Sequence, residues 1–164
     1  MQCPGSIVLG KDAPSTTTRY AAEGTAAHSL LTLCMKNKAP AADYVGDVIA
    51  ADGFTFEVDE EMARHVQTAI DYVKDAAGSD GVIVVDERVN YSMHLGVPVA
   101  DAFGTLDVMI MRGDELIVID FKYGKGVKVA AENNPQGLSY ALLALTDRGQ
   151  FSTGVIDDAT VNRA

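Results

Sequence analysis

Met62, Val66, Ala69, Ile70 and Val73 recur at three- and four-residue intervals, so 59–77 is expected to form an amphipathic helix that stops at Gly78. The Ala- and Leu-rich stretch 16–37 predicts an earlier α-helix. Between them, Pro40, Gly46 and Gly53 predict irregular chain over 38–58, with one short strand near Phe54-Thr55-Phe56. Val82 to Val89 reads as a strand, and Tyr91 to Phe103 as a loop or strand edge. Val108 to Met111 and Leu116 to Ile119 are apolar at every position, the pattern of central strands covered on both faces. Gly113-Asp114 between them has the chemistry of a two-residue hairpin loop. Asn133-Asn134-Pro135-Gln136 predicts a helix start, with an Asn cap and Pro in the first turn. Leu138, Ala141, Leu142 and Leu145 can then pack inward. A helical turn over 3–10 and a strand fragment near Val155 complete an α/β (α+β) fold, a mixed sheet flanked by helices.

The hairpin has a chemical consequence. With Arg112 opposite Glu115, each step away from the loop sets the next pair, and Asp107 falls opposite Asp120. Opposed Cβ atoms lie roughly 5 Å apart, and like charges so placed destabilise a sheet unless something neutralises them. A divalent cation would. Lys122 projects from the same face as Asp120, while Phe121 points the other way and leaves its carbonyl near the edge of the site. Two carboxylates, a lysine and a hard cation form a constellation suited to phosphodiester hydrolysis. An isolated Asp-x-Lys is more often a solvated surface hairpin. Here the apolar flanks argue against that, because charges at the end of a buried hairpin need compensation.

Two further segments carry polar side chains at suggestive spacing. Gln136 and Tyr140 are one helical turn apart on one face. His28, in Glu23-Gly24-Thr25-Ala26-Ala27-His28, is the one imidazole of its helix; alone, such a histidine is more often a core residue than a ligand. His65, near the apolar stripe, reads as core or boundary, and His94 as a bystander. Glu23 and Glu87 are additional carboxylates, for which exposed positions with no chemical role are at least as good a reading.

Taken in order, Glu-Gly-Thr-x-x-His, Gly-Thr-x-Asp (104–107), Asp-x-Lys-Tyr-Gly-Lys-Gly (120–126) and Asn-Asn-Pro-Gln-x-x-x-Tyr (133–140) resemble the RecB-type branch of the PD-(D/E)XK nuclease superfamily. The likeness is greatest to an uncharacterised phage and prophage family related to the CRISPR-associated adaptation nucleases, and spans about Cys3 to Gln150. The resemblance implies a restriction-endonuclease-like core and a single RecB-like nuclease domain over 1–164. It implies that His28, Asp107 and Asp120 bind Mg²⁺ or Mn²⁺ through side chains and Phe121 through its carbonyl. Lys122 becomes the catalytic lysine beside Asp107 and Asp120, and Gln136 with Tyr140 supports the site and contacts DNA. One imidazole among oxygen ligands tilts preference toward Mn²⁺.

The chain departs from that pattern in two respects. Related proteins carry more residues before Cys3-Pro4-Gly5-Ser6 and a further strand with a Gln-Pro-Arg-like motif beyond Val161, so the expectation is either a naturally short version or a fragment whose last strand is missing or supplied elsewhere. Several relatives also bind an iron–sulfur cluster through one early and three late cysteines. Cys3 and Cys34 are the whole complement here, so no iron–sulfur cluster with four thiolates from one chain is expected.

Composition narrows the class. The chain has 164 residues, of which 48% are apolar and 22% charged, enough for one domain with a sizeable core. No apolar run approaches the ~20 residues of a membrane span, and no basic-then-apolar leader opens it. Two cysteines 31 positions apart, without His-Cys clustering, suggest reduced, cytoplasmic thiols, and the phage-family resemblance implies that the compartment is a bacterial host's cytoplasm. The net charge of −10 excludes an extended basic face for DNA. Lys122, Lys125 and Lys128 nevertheless recur every third residue, which predicts weak, salt-sensitive, local DNA binding, with Lys125 and Lys128 on substrate. A solvated loop is an equally good reading of that run. A phage recombination or single-strand-binding partner is expected to add specificity or processivity. The expected activity is therefore metal-dependent DNA hydrolysis, by an exonuclease or DNA-end processing enzyme of phage recombination or replication. The alternatives are an inactive nuclease fold serving as a DNA-binding or complex subunit, and an acidic interaction module without a site.

Overall fold

The structure, a computed structural model, describes residues 17–90, 103–124, 134, 137–139, 141 and 155–156. Helix α1 (Arg19–Asn37) starts where the Thr18 side chain accepts the Ala21 N–H, and ends where Lys38 turns left-handed at φ 55°. Its packed stripe is made of small residues, Ala22, Ala26 and Ala27, followed by Leu30, Leu31, Cys34 and Met35. That stripe lets other elements come close to its first half.

One of them is a hairpin in the segment expected to be mostly irregular. Strands β1 (Val48–Ala51) and β2 (Phe54–Glu57) pair antiparallel from Val48↔Glu57 to Ala51↔Phe54. The two loop residues, Asp52 (φ 49°) and Gly53 (φ 82°), are both left-handed, as a type I′ turn requires. Asp-Gly is the usual chemistry for that turn, so the signal lay in the sequence beside the glycine that suggested disorder of pattern. Ala51 and Phe56 pack on Ala22 and Ala26, and the Thr25 hydroxyl donates to Asp52 Oδ2 at 2.9 Å.

Helix α2 (Glu60–Ala77) follows the expected bounds closely. Asp59 caps it, accepting the Met62 N–H at 2.7 Å, and Gly78 at φ 64° ends it. Met62, Val66, Ile70 and Val73 are buried, the face that periodicity predicted.

The larger sheet has the order β5-β4-β3-β6, from β3 (Val82–Asn90), β4 (Phe103–Arg112), β5 (Glu115–Ile119) and β6 (Val155–Ile156). Every pairing among the described strands is antiparallel, so the parallel neighbour that a mixed sheet needs does not occur there. The β4–β5 register runs from Arg112↔Glu115 to Val108↔Ile119, as the Gly-Asp loop predicts, with Gly113 at φ 53°. Helices α1 and α2 cover one face, where Ile83, Val85, Val108 and Ile110 join the helix residues in a buried cluster. Val84, Leu106 and Met109 are buried in a second cluster with Met111, Leu116 and Val118. The architecture is a mixed α and β fold. No helix among the described residues is long and apolar enough to cross a membrane.

The late helix is seen in part. Residues 137–139 and 141 are helical, the Asn134 side-chain oxygen accepts the Gly137 N–H at 3.4 Å, and its carbonyl accepts that of Leu138 at 2.9 Å. Asn134 is thus the cap that Asn-Asn-Pro predicted. Gln136, Tyr140, Lys125, Lys128, His94, Cys3 and the turn at 3–10 lie outside the described residues.

Candidate active site

Asp107 is the centre of the arrangement. Its Oδ1 lies 3.1 Å from His28 Nδ1, and its Oδ2 accepts the backbone N–H of Phe121 at 2.8 Å. A carboxylate only accepts, so Nδ1 carries the proton and, in the neutral ring, the Nε2 lone pair is left over. The two side chains are 31% and 15% exposed. The Phe121 ring packs against the imidazole, with centroids 5.2 Å apart. Three segments distant in sequence, α1, β4 and the chain leaving β5, therefore meet on one carboxylate.

The meeting depends on an irregularity in β3 and β4. Val85↔Val108 and Glu87↔Leu106 are paired, and Asp86 and Asp107 are the one intervening residue on each strand. Asp86 is left-handed, at φ 55°. Val108 and Ile110 belong to the helix-side cluster, whereas Leu106, which strict alternation would place with them, is buried in the other. Asp107 reaches α1 through His28, and Asp86 Oδ2 reaches Lys36 Nζ, also on α1, at 3.7 Å. Both aspartates thus face the helices. Asp86 is a residue that sequence reasoning missed: a positive φ at a non-glycine residue inside a strand leaves no periodic trace.

Asp120 occupies the next position after the last β4–β5 pair, where the register places it opposite Asp107. Alternation along β5 puts it on the Val118 side, since Ile117, Ile119 and Phe121 pack toward the helices. Its Oδ2 accepts from Lys122 Nζ at 2.7 Å. The expected shared face of the two aspartates is lost because Asp107, not Asp120, has stepped over. Among the described residues no group of three His, Cys, Asp or Glu side chains converges as a metal site would.

His28, Asp107 and Lys122 line one cleft of about 750 Å³, together with Asp86, Thr105, Lys36, Tyr20 and Tyr123. Asp120 does not line it. Glu23 lines a neighbouring hollow with Asp59, Glu61, His65 and Tyr123. Burial raises the Tyr123 phenol above its ordinary pKa, and the charges of Asp59, Glu23 and Glu61 add to that shift. Glu87 lies opposite Leu106 and so belongs to the far face of the sheet. His65 is exposed, its Nε2 3.9 Å from Glu61 Oε1, rather than a core residue.

The donor chemistry can be compared with the cation that the four motifs imply. Adjacent ligands of an octahedral Mg²⁺ or Mn²⁺, each about 2.1 Å from the ion, stand about 3 Å apart. His28 Nδ1 and Asp107 Oδ1, at 3.1 Å, have that spacing. Coordination through Nδ1 would need the ring to carry its proton on Nε2 instead, with Asp107 Oδ1 as the neighbouring ligand.

No solved structure matches the chain. A protein family does: the one described as "Protein of unknown function (DUF2800)" matches residues 1–153, nearly the whole length. The chain therefore belongs to the DUF2800 family.

Proposed function

We propose that this protein is a metal-dependent deoxyribonuclease, an exonuclease or DNA-end processing enzyme of phage recombination or replication in a bacterial cytoplasm. The observation that supports the reading is the His28–Asp107 pair, 3.1 Å apart, in a cleft that Lys122 also lines. His28 and Asp107 would hold Mg²⁺ or Mn²⁺, with the Phe121 carbonyl as a further ligand, while Asp120, on the other face, would act through Lys122. Such an ion supplies Lewis acidity toward a phosphodiester and toward water. Phe121 donates its N–H to Asp107 and keeps that carboxylate oriented. Lys122 brings an ammonium to the charge that builds on the phosphate as the bond breaks. Asp120 holds that ammonium at 2.7 Å. Gln136, Tyr140, Lys125 and Lys128 are the proposed DNA contacts, and a recombination or single-strand-binding partner the proposed source of processivity.

The Asp120–Lys122 ion pair also favours a second reading, in which the fold binds DNA or completes a complex without cutting. End-labelled DNA incubated with Mn²⁺ separates the two. The nuclease reading expects digestion that chelation stops and that Asp107→Ala or Lys122→Ala abolishes while circular dichroism is unchanged. Calorimetry showing no Mn²⁺ binding, combined with intact DNA binding, would support the non-cutting subunit. Undiminished digestion by either variant would assign the activity to a contaminant.

A further inference from the structure

We propose that Asp86 is a positioning residue for Asp107: its left-handed backbone turns the β3–β4 ladder over by one residue, so that the Asp107 carboxylate meets His28. The inference rests on the reading that His28 and Asp107 share an ion, and adds what sets their spacing.

Strict alternation from Met109 would send Asp107 to the face of Val84 and Leu116, away from α1. The register on either side of the aspartates is the same, with no extra residue on either strand, so an inserted-residue bulge is not the cause. The departure is confined to one step, and Asp86 is the residue there with an unusual backbone, φ 55°. Such a conformation is costly for a side chain with a Cβ, and least so for Asp and Asn, whose short polar groups bond locally. It persists where surroundings over-determine it. Here they do so on both faces: Leu106 is 1% exposed in the second cluster, and Asp107 bonds His28 and Phe121 in the cleft. Lys36 lies 3.7 Å from the Asp86 carboxylate and favours the helix-facing arrangement.

The role is one of backbone conformation, which separates it from that of a carboxylate ligand. Glycine supplies a left-handed backbone with no carboxylate, and valine resists it strongly. The test uses the full chain with Asp86→Gly, Asp86→Asn, Asp86→Ala and Asp86→Val. One readout is Mn²⁺ affinity by calorimetry, the other the His28 Nδ1–H signal in proton–nitrogen NMR without metal. Asp86→Gly and Asp86→Asn are expected to keep the signal and hold Mn²⁺ within about threefold of the parent, while Asp86→Val loses the signal and binds roughly 10- to 100-fold more weakly. Retention of both by Asp86→Val overturns the proposal, as does loss of both by Asp86→Gly, which would make the carboxylate itself the contributor. If Asp86→Val fails to fold, Asp86→Ala decides: weaker than Asp86→Gly supports the backbone role, equal to it overturns it. A parent protein that binds no Mn²⁺ would sink the nuclease reading, and the imidazole signal would still decide this one.

Discussion

Asp107 accepts hydrogen bonds from groups 79 and 14 residues away in sequence, so its removal is a structural change as well as a chemical one. Asp107→Ala leaves the Phe121 N–H without its acceptor in a half-buried place, a cost of about 1–3 kcal/mol. Urea unfolding should find a loss of that size, and a variant as stable as the parent would show that the bond contributes nothing. Cys34 gives a pH-dependent counterpart. Burial pushes its thiol up to about 11, with the Asp43 charge adding to the shift. The unfolded chain's thiol, near 9.0, then ionises before the folded one, so Cys34 contributes stability below pH 9 that is lost as pH rises toward 11. Cys34→Ala should flatten the stability-against-pH curve in that window. An unchanged slope would mean that other groups carry it. Iodoacetamide should label native Cys34 slowly for the same reason.

The elements differ in how well local chemistry announced them. Helix α2 was legible because Met62, Val66, Ile70 and Val73 form an apolar stripe and Asp59 and Gly78 bracket it. The β4–β5 register was legible because a two-residue loop leaves no freedom in pairing. The β1–β2 hairpin was hidden by its short strands, although Asp52-Gly53 carried its turn. The step at Asp86 was illegible in principle: alternation assumes an unbroken pleat, and only packing of Leu106 against Val84 and Met109 reveals the break. That one break also explains why Asp120 was expected beside Asp107 and is found on Lys122. Two stability predictions belong at this scale. Asp59→Ala removes the α2 cap and should cost ~1 kcal/mol in denaturant titration. Gly81→Ala should cost more than that cap, because an added Cβ would stand 2.5 Å from the Ala77 carbonyl oxygen and 2.8 Å from its Cα, backbone atoms that cannot rotate away. A Gly81→Ala variant as stable as the parent would show that the chain after α2 shifts freely.

For the whole molecule, a net charge of −10 sets how DNA can be held. If Lys122, Lys125 and Lys128 make the phosphate contacts, the logarithm of affinity should fall with the logarithm of salt at a slope near −3, about 0.9 per contact. Fluorescence anisotropy with a short duplex, in Mg²⁺-free buffer to prevent cutting, measures it. A slope near −8 would require a basic surface that this composition does not provide.

The Phe121 amide that donates to Asp107 lies two residues past the last pair of the β4–β5 ladder. A backbone proton in that position would ordinarily trade with solvent deuterium within the time of mixing. Tied to the carboxylate that also grips the first helix, it should instead trade only when that helix lifts away. Its uptake rate becomes a stopwatch for undocking, readable at a single amide in the resting protein.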